Sequence, residues 1–139
     1  ESVSSKLTSA WESAVAGKQR PDERLKALVL SQLGQIEQTP ALPILLFSRE
    51  LNVENEGLRR AFRDRLTAFH AMLVKEFAGG QASKVFRQDI KADDAAVLLT
   101  SLIQGLAIRW SLGTRNFNFQ KEGRRLLNIN LHLFARERG

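Results

Sequence analysis

The sequence predicts an all-α fold of six helices, and three observations predict it. Every long segment repeats its apolar residues at three- and four-residue steps, the breaks between segments carry Pro, Gly or Asn, and no stretch alternates in the manner of a strand. At 139 residues the chain reads as one domain, 1–139, large enough to bury a core. Within it, about 1–91 supplies a bundle of helices and about 92–136 supplies the last two.

The first helix spans about Ser4 to Ala16, with Leu7, Trp11, Ala14 and Val15 on one face and Gly17 as its stop. Pro21 opens the second, where Asp22 and Glu23 sit in the first turn and complement the helix dipole. Its stripe is Leu25, Leu28, Val29, Leu33 and Ile36. Pro40 and Pro43 bracket a short third helix, Ala41 to Leu51. Asn55 is a good N-cap for the fourth, about Glu56 to Ala78, whose stripe is Leu58, Phe62, Leu66, Phe69, Leu73 and Phe77. Gly79 and Gly80 are read as its end. A loop of roughly a dozen residues, long for a helical bundle, leads to the fifth helix, about Ala92 to Leu112. The sixth runs from about Phe119 to Arg136.

The last two helices are apolar on more than one side. Val97, Leu98, Leu99, Leu102, Ile103, Leu106, Ile108, Trp110 and Leu112 surround the fifth, and Leu126, Leu127, Ile129, Leu131, Leu133 and Phe134 cover more than one stripe of the sixth. A helix that is apolar all round needs a second surface to cover it. A two-fold dimer in which these helices form a four-helix bundle supplies that surface, through Leu98, Leu102, Leu106, Trp110, Leu127, Leu131 and Phe134. A fully buried central helix within one protomer is the other solution. Gly105, costly in a helix by about 1 kcal/mol relative to Ala, fits a place where another backbone approaches.

Composition excludes several functions. The chain has no cysteine, hence no disulfide or thiolate metal site, and its two histidines, His70 and His132, lie far apart without ligand spacing, so neither metal nor cofactor is expected. No nucleophile–base–acid set is present, and Gly79-Gly80 lacks the Lys-Ser or Lys-Thr of a phosphate loop, so no enzyme activity is expected. No apolar run approaches the ~18 residues that span a bilayer, and the start, ESVSSKLTSAW, lacks the pattern of a signal peptide. A cytoplasmic protein with no membrane partner is expected. The net charge of +6 comes from basic residues scattered among acidic ones, which reads as a solvated surface before it reads as a nucleic-acid face.

One stretch carries more. Phe86-Arg87, Asp89-Ile90 and Asp94-Ala95-Ala96 stand as F-R-x-D-I-x-x-x-D-A-A, and Gly105-Leu106-Ala107-Ile108-Arg109-Trp110 as G-L-A-x-R-W. In this it resembles the C-terminal half of TetR-type (tetracycline-repressor-like) transcriptional regulators. It departs from them at Lys91-Ala92-Asp93-Asp94, where many members have Asp-Pro-Glu-Asp. The resemblance implies a homodimer built through the last two helices, and a mostly apolar pocket among the others for a small apolar or amphipathic effector. Aromatics fill cores as readily as they line cavities, but with that implication Trp11, Phe47, Phe62 and Phe69 become candidates for the lining, and Gln32, His70 and Gln104, with Thr100, for polar anchors.

The resemblance further implies a bacterial regulator, acting as a repressor. Such regulators carry a helix-turn-helix unit ahead of this region, ending in a Y-x-H-F-x-x-K-x-x-L type sequence. This chain has no tyrosine and no such motif, so DNA contact is expected only through a unit that is missing from it, removed by truncation. A stand-alone helical domain binding small molecules, lipid or protein is the alternative.

Overall fold

The structure, a computed structural model, describes residues 11–38, 56–111 and 118–136, apart from the side chains of Glu56, Leu58, Arg59, Ala61, Phe62 and Ser111. Among the described residues there are five helical segments: α1 (11–15), α2 (Pro21–Gln38), α3 (Glu56–Ala82), α4 (Ala92–Ser111) and α5 (Phe119–Phe134). They correspond to five of the six expected helices. The third, Ala41 to Leu51, lies outside the described residues. The described residues contain no strand, only one isolated antiparallel bridge between Phe86 and Ala135.

Each helix end has a local cause. Gly17 sits at φ +82°, a left-handed conformation that stops α1 where Cβ-bearing residues are disfavoured. Pro21 starts α2, and Arg20 forks onto Asp22 in its first turn at 3.2 Å from each oxygen. Asn118 caps α5, its side-chain oxygen accepting from the Lys121 amide at 2.9 Å.

Two expected boundaries are corrected. Gly79 and Gly80 do not end α3, which continues to Ala82. They lie inside it because the linker folds back there. The Val85 amide donates to the Gly80 carbonyl at 2.8 Å, and the buried Phe86 ring lies against the bare Cα of Gly80. The last helix closes at Phe134, two residues before Arg136, because the backbone beyond it pairs with the linker. Arg87 N–H donates to Phe134 O at 2.9 Å, and Arg136 N–H to Val85 O at 3.0 Å.

The core forms where α2 packs against α3, α4 and α5, and α3 lies along α4. Leu25, Leu28, Val29, Leu33 and Ile36 of α2 are all buried, as their spacing predicts. They meet Phe69, Leu73 and Phe77 of α3, Leu99, Ile103 and Leu106 of α4, and Phe119 and Leu127 of α5. Each such side chain contributes about 1.5–3 kcal/mol on leaving water. Phe77 is the aromatic hub at one end, stacked on Phe86 at 4.7 Å and edge-on to Phe134 at 5.3 Å. No helix among the described residues is long and apolar enough to cross a membrane.

Candidate functional site

Two of the aromatics expected to line an interior cavity, Trp11 and Phe69, are tightly packed instead. Trp11 and Phe69 are each 1% exposed, with ring centroids 5.2 Å apart. The Trp11 indole N–H donates to Gln32 Oε1 at 3.1 Å. A void able to hold a ligand would expose these rings, so the pair is core, and Gln32 satisfies the buried indole. Phe47 lies outside the described residues, and so does the side chain of Phe62.

His70 and Gln104 are brought together. With Leu66, Thr67 and Thr100 they line an open groove of about 270 Å³ between α3 and α4. His70 Nε2 lies 2.7 Å from Asp93 Oδ1, in the first turn of α4, which ties the groove at one end. The Thr100 hydroxyl points back along its own helix, 3.0 Å from the Ala96 and Val97 carbonyls. Sequence reasoning missed Leu66, Thr67 and Asp93 as members of this group. The available signal was spacing, since Thr67 and His70 are three apart, Thr100 and Gln104 four apart, and each pair shares a helix face.

A larger depression of about 390 Å³ runs beside the first half of α5, between Asn118 and Asn128. Its described walls come from that one helix. Arg125 and Glu122 there bond each other at 2.8 Å, and this bond holds the Glu122 carboxyl below its ordinary range.

The expected dimer residues divide into two groups. Leu106 (3% exposed), Leu127 (0%) and Phe134 (3%) sit in the protomer's own core, which corrects their assignment to an interface: no surface remains for a partner. Leu102, Trp110 and Leu131 are half-buried, Trp110 against Phe119 at 4.8 Å. Leu98 is 53% exposed, and Val97 (47%), Ile129 (47%) and Leu133 (58%) join it. On α4 the outward residues Val97, Leu98, Ser101 and Gly105 recur at helical steps, opposite buried Ala96, Leu99, Ile103 and Leu106. Among the described residues nothing lies within 4 Å of a Cβ built on Gly105.

A second glycine does mark a close approach. A Cβ on Gly123 of α5 would come 2.5 Å from Leu33 and 3.3 Å from Leu106, so α5 rests there almost directly on α2 and α4. Arg24 of α2 makes an extensive polar link. It bonds both oxygens of buried Glu76 on α3, at 2.7 and 3.0 Å, and the carbonyls of Val15 and Lys18 at the end of α1, at 3.2 and 3.1 Å. The Glu76 hydrogen bond raises the Arg24 guanidinium further above its ordinary value, a bidentate pairing that orients three helical segments at once.

Comparison with known proteins agrees with this architecture. The structure is similar to that of the ketosteroid transcriptional regulator KstR2 of Mycobacterium tuberculosis, with TM-score 0.80 and 19% identity over 96% of this chain and 68% of that one. It is also similar to a TetR-family transcriptional regulator from Rhodococcus sp., with TM-score 0.72 and 16% identity over 94% of this chain and 69% of that one. No curated protein matches. Residues 21–133 match the family described as BetI-type transcriptional repressor, C-terminal. That match takes in α2 to α5 together with the Phe86–Ile90 linker, and on it the chain belongs to this family, as a C-terminal regulatory domain of the TetR class.

Proposed function

We propose that this chain is the dimerising and effector-sensing domain of a transcriptional repressor. The observation that carries the reading is the set of large apolar side chains that α4 and α5 turn to solvent: Val97, Leu98, Ile129 and Leu133. Apolar residues at consecutive positions of one helix face, repeated on the neighbouring helix, mark an interaction surface more often than a bare one. A two-fold pairing of α4 and α5 with their copies covers this surface and gives a four-helix bundle.

Regulation then follows by linkage. A small molecule that binds one arrangement of the helices better than another shifts the population toward it. Arg24 fastens the end of α1 to α2 and α3, and Trp11 of α1 packs on Phe69, next to His70 of the groove. A change in α3 therefore reaches α1. Where DNA-binding units precede α1 in each copy, their separation changes, and so does their match to half-sites about 34 Å apart.

The test joins this domain to its operator-binding unit and titrates compounds that bind the domain. The expected result is a change in operator affinity with occupancy. Operator affinity unaffected by every compound that binds would contradict the reading.

A further inference from the structure

We infer that the groove between α3 and α4 is a binding site for a small uncharged molecule with a hydroxyl on an apolar ring, and that a second copy of this chain completes it. The inference rests on the dimer reading above.

Geometry supplies the first half of the argument. Sites for small molecules enclose about 300–1,000 Å³ and bury most of the ligand surface. The groove, about 270 Å³ and open along one side, falls short of both within one protomer. Its α4 wall is the line Asp93, Thr100, Gln104, at steps of seven and four. One helix position further round is the line Val97, Ser101, Gly105, which faces outward. The open side of the groove therefore borders the outward face of α4, where Val97 and Leu98 lie exposed. Gly105, adjacent to Gln104, has open space where a side chain would be, so another helix can come close there. A second copy seated on that face roofs the groove.

The polar groups select the ligand. His70 Nε2 is taken up by its 2.7 Å contact with Asp93 Oδ1, so Nδ1 is the polar atom of that ring left for a ligand. The Thr100 hydroxyl spends its hydrogen on α4 carbonyls and offers only lone pairs. Gln104 supplies two N–H donors and one acceptor, and Thr67 can do either. Among the described residues no arginine or lysine lines the groove, and Asp93 stands at its end, so an anion finds no cationic partner among them. A hydroxyl donates to Thr100 and accepts from Gln104, while Leu66 and the covering face of the second copy take the ring. Because both copies contact the ligand, dimerisation and binding strengthen each other by the same factor.

The chain has two histidines, so its imidazole NMR spectrum has two signals, and His132 on α5 is the control. Phenol is the probe and benzoate the charged comparator. The expected result is a saturable shift of the His70 signal with phenol, at least tenfold weaker binding of benzoate, and at least fivefold weaker phenol binding in Gln104→Leu. Leu98→Glu, which places a charge on the outward face, is expected to stay folded and to lose at least tenfold in phenol affinity. A dimer whose His70 signal ignores phenol overturns this inference alone. Undiminished phenol binding by a monomeric Leu98→Glu overturns the role of the second copy. A wild-type chain that is monomeric by light scattering overturns the dimer reading, and the completion of the site with it.

Discussion

The ring of Phe86 occupies the space that a side chain on Gly80 would fill, so the linker between α3 and α4 is docked through a missing Cβ. Gly80→Ala would force the ring out of its stack on Phe77 or shift the backbone, at a cost of about 1–3 kcal/mol. Gly79→Ala, one residue earlier in the same helix and with nothing within 4 Å, is expected to gain up to about 1 kcal/mol from helix propensity. Urea unfolding of the two variants distinguishes them, and equal effects would contradict the docking role.

The other contrasting pair lies in the last two helices. Gly123→Ala meets Leu33 and Leu106 and is expected to destabilise the protomer by about 1–3 kcal/mol. Gly105→Ala meets nothing among the described residues of the protomer and is expected to stabilise it by up to about 1 kcal/mol. In the dimer Gly105→Ala should instead weaken association. Measuring unfolding at low concentration and the dimer dissociation constant separates the two effects, which a purely internal role for Gly105 would not do.

Arg24→Ala would leave the Glu76 carboxylate buried without its cation and two carbonyls of the α1 end without a donor. The expected loss is about 3 kcal/mol, the low end for breaking a buried pair, since Arg24 itself is partly exposed. Thermal unfolding checks it. A loss well under 1 kcal/mol would mean that the link between α1 and α3 is carried elsewhere.

Arg87 grips Asp89 at 2.6 and 2.7 Å and holds its carboxyl below the ordinary value of 3.8. A carboxyl depressed in the folded state contributes stability above its unfolded pKa, and that contribution is lost as pH falls through the folded value. Wild type is therefore expected to be slightly more stable than Asp89→Asn at neutral pH, with the two converging below about pH 4. A constant difference across an acid titration of the melting temperature would contradict this.

What was legible in the sequence follows from the range of the physics involved. The buried stripe of α2 is set by its own spacing and is legible in it. The end of α3 is not legible locally because Gly80 answers to Phe86, a packing constraint across a turn, rather than to helix termination. On α4, apolar residues surround the helix, and periodicity cannot say which side faces the protomer's core. Leu106 and Leu98 look alike in sequence and differ only in what surrounds them. Arg24 and Glu76, 52 residues apart, gave no sequence signal at all. His70 and Gln104 stood out as polar interruptions of apolar stripes, but only the packing of α3 on α4 places them in one groove.

The central claim is that α4 and α5 turn one face to their own core and another to a second copy. Molar mass by light scattering, measured side by side for wild type, Leu98→Glu and Leu106→Glu, tests it most directly. The account predicts a wild-type dimer of about twice 15.6 kDa, a folded monomer for Leu98→Glu, and for Leu106→Glu a loss of folding, because that charge enters the protomer's core. A Leu98→Glu variant that remains dimeric with an unchanged dissociation constant would contradict it.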